Sequence, residues 1–155
     1  MLTKAEVIRD MNASVRTAAD FNLPGVTAAT AANYQNFFVA PFPCRVVSIV
    51  ARFSAAGGAA AAVQITKAPS GTSTDAGTNV LTTPLDLTGA THTNVNGVLS
   101  TVASATVLNT GDALGAVDSG TLTGLADLSV TVMIKPLVLE TEGIDFQIPG
   151  ATPYI

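Results

Sequence analysis

The sequence has no tryptophan, one cysteine, one histidine, two tyrosines and a charged fraction of only 12%, and each shortage closes off a class of function. A lone Cys44 forms no internal disulfide, which agrees with a reducing compartment and equally with any compartment that needs no bridge. His92 stands in the polar, loop-like run Gly89-Ala-Thr-His-Thr-Asn94 with no cysteine beside it. Metal and nucleophile sites need several converging groups, so the expected role is a surface histidine. Cys44, between Pro43 and Arg45, reads as a small buried hydrophobe, although Arg45 would lower the thiol pKa if the two side chains met.

The carboxylates give no catalytic pair. Asp75, Asp86, Asp112, Asp118 and Asp127 all stand near turn signals, where aspartate bonds its own backbone. No calcium loop, phosphate-cradling GxxxxGK[ST] or GxSxG elbow occurs. With no tryptophan, and with Tyr34 and Tyr154 expected outside the sandwich, stacking on a sugar ring is poorly served. The seven Lys and Arg are scattered singly in a chain of net charge −4, which leaves no basic stripe for phosphates. The expectation is a protein that is not an enzyme, holds no cofactor or metal, and binds no nucleic acid directly. No run approaches the roughly 18 apolar residues of a membrane span, and the start MLTKAEVIRD lacks the apolar core of a signal peptide. Synthesis and retention in a cytoplasm are expected, with no membrane partner.

What fills the chain instead is Thr, Ser, Asn, Ala and Gly around a hydrophobic share of 48%. A neutral, weakly hydrated surface of this kind suits packing against other protein. At 155 residues one core is enough.

Three segments follow from periodicity. Residues 1–36 read as an arm: Thr3-Lys4-Ala5-Glu6 matches a capping box, and Ala5, Ile8, Met11, Val15 and Ala18 share a helical face. Asn22-Leu23-Pro24-Gly25 ends that helix, about sixteen to eighteen residues in all. From 37 to 136 the period is two, with turn residues between short apolar runs, which predicts an all-β antiparallel sandwich of six to eight strands, jelly-roll-like. Val47, Ile49, Ala51 and Phe53 are expected on one face of a strand at 44–53; Ala61, Val63 and Ile65 alternate with Gln64 and Thr66. Pro84 makes 80–87 an edge or a bend, and Leu128, Val130, Val132 and Ile134 alternate clearly up to Pro136. Residues 137–155 read as an extended tail in which Ile144, Phe146 and Ile148 suit addition to a sheet edge, on a neighbour or on the chain's own sandwich.

The run ARFSAAGGAAAAVQITK has two expectations attached. Gly57-Gly58 is predicted to turn a hairpin between the strands at 44–53 and 61–67. The alanines around it are predicted to let another backbone approach, either a loop of the same chain or a second subunit.

The succession FFVAPFPCRVVSIVARF, VQITKAPSGT, NVLTTPLDLTG, VLNTGDAL and LSVTVMIKP, over about 37 to 136, resembles the small all-β virion proteins encoded near the capsid genes of tailed bacteriophages, capsid decoration or cement proteins among them. The resemblance is one of pattern, with no single specific motif. It implies an oligomer, commonly a trimer, on the capsid exterior that bridges major capsid subunits and stabilises the head. The contact residues expected on this footing are Ile8, Met11 and Val15 of the arm, Gly57 and Gly58, and Ile144, Phe146, Ile148 and Tyr154 of the tail. The competing readings are a head appendage that binds a receptor or glycan through the loops at 69–78 and 89–96, and a tail or neck component.

Overall fold

In the computed structural model, residues 17–23 and 34–137 are described. They form ten strands: β1 (Thr17–Leu23), β2 (Tyr34–Val39), β3 (Cys44–Arg52), β4 (Ala62–Ala68), β5 (Thr78–Asn79), β6 (Leu85–Asp86), β7 (Val95–Asn96), β8 (Val107–Leu108), β9 (Ala113–Ser119) and β10 (Leu128–Pro136). Pairing is antiparallel throughout, as expected where short connections replace crossover helices. One sheet runs β1-β10-β3-β7 with β8 also on β3; the other runs β2-β9-β4-β5 with β6 also on β4. Four of the ten are two-residue strands, more than the turn signals predict, because the chain between 69 and 108 wraps the outer strands without running along them.

The core lies between the two sheets. β3 contributes Cys44, Val46, Ile49 and Ala51; β10 contributes Leu128, Val130, Val132 and Ile134; facing them are Val63 and Ile65 of β4 and Leu114 and Ala116 of β9. Phe53, Leu81, Leu85, Leu87 and Leu108 close the ends and flanks. Each fully buried Leu, Ile or Phe contributes about 1.5–3 kcal/mol relative to exposure.

β10 follows its sequence pattern residue for residue, whereas β3 does not. Ser48 pairs with Met133 and Val46 with Ile134, so the register steps past Val47 in a bulge. The extra residue reverses the alternation. Ile49, Ala51 and Phe53 are buried as expected, but upstream Cys44 and Val46 face the core and Val47 is only half-buried.

Strand β4 departs differently. Gln64 and Thr66, expected on the solvent face, are buried along with Val63 and Ile65. The segment 74–82 covers that face: the Gln64 side-chain amide donates to the Leu81 carbonyl at 3.2 Å, and the Thr66 hydroxyl donates to the Thr74 carbonyl at 2.8 Å. A 3-10 turn, Thr74–Ala76, seats here on Gly115, where an added Cβ would meet Thr74 Cγ2 at 2.0 Å. Buried polar groups persist only when bonded, and no buried side-chain N or O among the described residues lacks a partner.

Two local expectations are corrected. Thr17–Leu23, expected to fall largely within the predicted helix, is a strand that pairs with β10 from Thr17↔Ile134 to Leu23↔Leu128. The same residues carry both periods, and the ladder offered by β10 decides between them. Ile8, Met11 and Val15 lie outside the described residues, as does the capping box.

Nor does Gly57-Gly58 turn a hairpin. β3 and β4 belong to opposite sheets, so the run 53–61 carries the chain across the sandwich. Neither glycine has a positive φ; the left-handed residue of the run is Ala60, at φ 54°.

Candidate functional site

The residues with chemical potential are dispersed, each in a local structural role. Cys44 is fully buried in β3, and its thiol pKa is raised, first by burial and then by the Asp112 carboxylate nearby. Arg45 is exposed while Cys44 is buried, so no thiolate is activated by that pair. His92 is exposed with φ 58°, and its backbone N–H donates to the Phe53 carbonyl at 2.8 Å.

Asp75, Asp86 and Asp112 serve turns, whereas Asp127 links two segments far apart in sequence. Asp86 accepts from the Thr88 hydroxyl at 2.7 Å and the Thr88 N–H at 2.8 Å, and these bonds hold its carboxyl below the ordinary carboxylate range. Asp112 accepts from the Asn109 N–H at 2.9 Å, Asp127 from the Ser54 hydroxyl at 2.6 Å, and Asp75 from the Ser73 hydroxyl. Among the described residues no three His, Cys, Asp or Glu side chains cluster to hold a metal. No helix among them is long and apolar enough to cross a membrane.

Lys67 shows how the few charges are spent. Its ammonium donates to the carbonyls of Ser104 and Val107, at 2.7 and 3.1 Å, fixing the single helical turn Ala103–Thr106 against the second sheet. Thus this cation fastens two segments of the chain.

Gly57 and Gly58 sit half-buried where three connections meet. The Gly57 N–H donates to the Leu87 carbonyl at 2.9 Å and the Gly58 N–H to the Thr121 carbonyl at 2.7 Å. An added Cβ would stand 2.4 Å from Ala61 Cβ at Gly57 and 3.0 Å from Thr121 Cγ2 at Gly58. The backbone that the small residues admit at this point is the chain's own, and Ala55 bridges to Ala126 in the same way.

Among the described residues the outer surface carries four large apolar side chains that the sequence reading did not single out: Val39 at 60% exposure, Phe42 at 37%, Val98 at 63% and Val102 at 58%. Val39 ends β2, and Phe42 follows in the Ala40-Pro-Phe-Pro43 corner, whose Ala40 exchanges backbone bonds with Gly111 and Asp112. Prolines on both sides of Phe42 were the available signal, since they hold a short loop outside the ladder. Val98 and Val102 belong to a stretch that alternates too loosely to assign a face. Ile144, Phe146, Ile148 and Tyr154 lie outside the described residues.

No protein-family model matches the sequence, and no curated protein does. A solved structure is similar in fold: a chain of the capsid of Ralstonia phage GP4, with a TM-score of 0.51 and 17% identity over 77% of this chain and 81% of that one. At this identity the likeness is one of fold.

Proposed function

We propose that this chain is a virion structural protein of a tailed bacteriophage, a capsid decoration protein that forms a homotrimer, sits on the capsid exterior and bridges major capsid subunits. The observation that carries this reading is the fold likeness to a chain of a phage capsid over 77% of the sequence. The chemistry is in accord with it: Cys44 lies in the core, Asp86 and Asp112 hold turns, Lys67 and Asp127 fasten distant segments, and a chain with 12% charged residues presents Val39, Phe42, Val98 and Val102 to the outside. Bridging several subunits at once converts modest contacts into firm attachment, because each additional contact is made at high effective concentration. Ile8, Met11, Val15, Ile144, Phe146, Ile148 and Tyr154 are the proposed shell or subunit contacts beyond the sandwich.

The test uses heads of the phage that encodes the protein, stripped of it and then reconstituted. Purified protein should rebind at a fixed number of copies per head, seen by cryo-electron microscopy, and should restore resistance to heat and osmotic shock. Heads that lose adsorption to cells but keep their mechanical strength when stripped would refute the decoration role and assign the chain to a receptor-binding appendage. Density confined to the tail or neck would refute it as well.

A further inference from the structure

We infer that β1 is an exchangeable strand: within the oligomer it pairs with the β10 edge of a second copy of this chain, so that the outermost strand of one sandwich is supplied by its neighbour. The inference rests on the self-association proposed above and names the means of it.

Three observations carry it. The first is the edge itself. β10 spans nine residues, and from Leu128 to Ile134 (LSVTVMI) it has no charge, no proline and no glycine. Those are the features that keep an open strand from pairing with other chains, and sheet proteins without them need the edge covered. The second is that, among the described residues, β1 alone pairs with it, through seven consecutive register pairs from Thr17↔Ile134 to Leu23↔Leu128. On its far side β1 pairs with no described strand, being the last in its sheet.

The third is connectivity. β1 precedes the rest of the sandwich, and residues 24–33 join it to β2, which belongs to the other sheet. Ten residues reach at most roughly 35 Å, so the connection does not by itself confine β1 to its own sandwich. An exchanged strand makes the same ladder as a retained one, so the two arrangements differ only in the linker and in the local concentration of neighbours. On a shell that concentration is fixed and high, which favours exchange. The result is a tie running from each copy into the next, held by main-chain hydrogen bonds that need no charged interface.

Register supplies the test. Asn22 pairs with Ser129, and Ser129 is exposed. Two full-length variants, Asn22→Cys and Ser129→Cys, distinguished by a tag, are co-expressed in equal amounts, oxidised gently, alkylated and run on a non-reducing gel; buried Cys44 stays out of the reaction. Native mass spectrometry of the same sample reads the oligomeric state. Exchange predicts a disulfide between the two differently sized chains in about half of the Asn22→Cys molecules, the share whose neighbour is a Ser129→Cys chain. The double variant Asn22→Cys/Ser129→Cys would then run as linked multimers.

An oligomer in which the double variant closes only within single chains, and the mixture not at all, overturns the inference while leaving self-association intact. A monomer by mass overturns both. If neither arrangement cross-links, Ala18→Cys with Met133→Cys repeats the test at a second register pair, and failure there also refutes β1 as the cover of β10.

Discussion

Gly120→Ala perturbs the point where two connections brace one another. Gly120 has φ +73°, and a Cβ there would stand 2.0 Å from the Ala60 carbonyl oxygen, 2.3 Å from its carbon and 2.7 Å from the Ala61 nitrogen. All three are main-chain atoms, two of them in Ala60, which is itself left-handed, so neither side has a flexible end to move. Relief requires parting the two segments by more than an ångström, which disrupts the bonds from the Thr121 N–H to the Ala59 carbonyl at 3.0 Å and from the Gly58 N–H to the Thr121 carbonyl at 2.7 Å.

The left-handed conformation alone costs alanine about 1–2 kcal/mol. Two lost backbone bonds add about 1 kcal/mol each, and the stiffer unfolded chain makes the substitution costlier to unfolding by only about 0.4–1 kcal/mol in return. The net is a loss of about 3 kcal/mol, or roughly 6–12 °C in Tm for a chain of this size. Gly111→Ala is the control. Its φ is +88°, but a Cβ there meets nothing within 4 Å, so only the conformational cost applies, about 1 kcal/mol. Urea midpoints and thermal unfolding by circular dichroism measure both variants against the parent. If Gly120→Ala is no more destabilised than Gly111→Ala, the close approach of 120 to 60 is not present in solution and the account of this end of the sandwich fails.

Two further outcomes follow from titratable groups. Asp86, its carboxyl held low by the Thr88 hydroxyl and N–H, should titrate below the ordinary carboxylate range by NMR. Thr88→Val, which removes the hydroxyl and keeps the N–H, should move that midpoint part of the way back; an unmoved midpoint refutes the assignment. Because the folded state binds this proton less tightly than the unfolded one, the turn's contribution is present above the ordinary carboxylate range and is lost as pH falls through the folded value. Cys44 has the opposite sign: burial raises its pKa, so the stability linked to the protonated thiol is present below the ordinary thiol range and lost as pH rises toward the folded value. At pH 8 a thiol reagent should label Cys44 no faster than the protein unfolds globally, and rapid labelling of the native protein would show that β3 opens locally.

The antiparallel double sheet was legible because its strongest signals are local. The alternation of β10 over Leu128–Pro136 maps directly onto burial, and Pro84 marks a bend between two short edge strands. The errors arise where a long-range partner decides. The bulge at Val47 depends on the register against Met133 and Ile134, which a reading of β3 alone does not contain. Gln64 and Thr66 look solvent-facing because they are polar, and they are buried because 74–82 folds over them. Gly57-Gly58 carries a turn signal with no indication of which sheet the next strand will join. Of the expected contact residues, Gly57 and Gly58 alone fall within the described chain, and there the small-residue signal correctly marked a close approach while leaving open whose backbone it was. Val39 and Phe42 went unnoticed because a patch is a property of the finished surface.

Strand β4 has no face turned to water. It is flanked by β9 along its whole length and by β5 and β6 on the other side, with one layer of packing below and another above. Its central amides are expected to exchange with deuterium only through global unfolding, and faster exchange at Val63 to Thr66 than the unfolding equilibrium allows would refute this. They act as an internal clock: the exchange rate at Val63 to Thr66 reports the overall unfolding equilibrium directly, while the periphery reports only its own fraying.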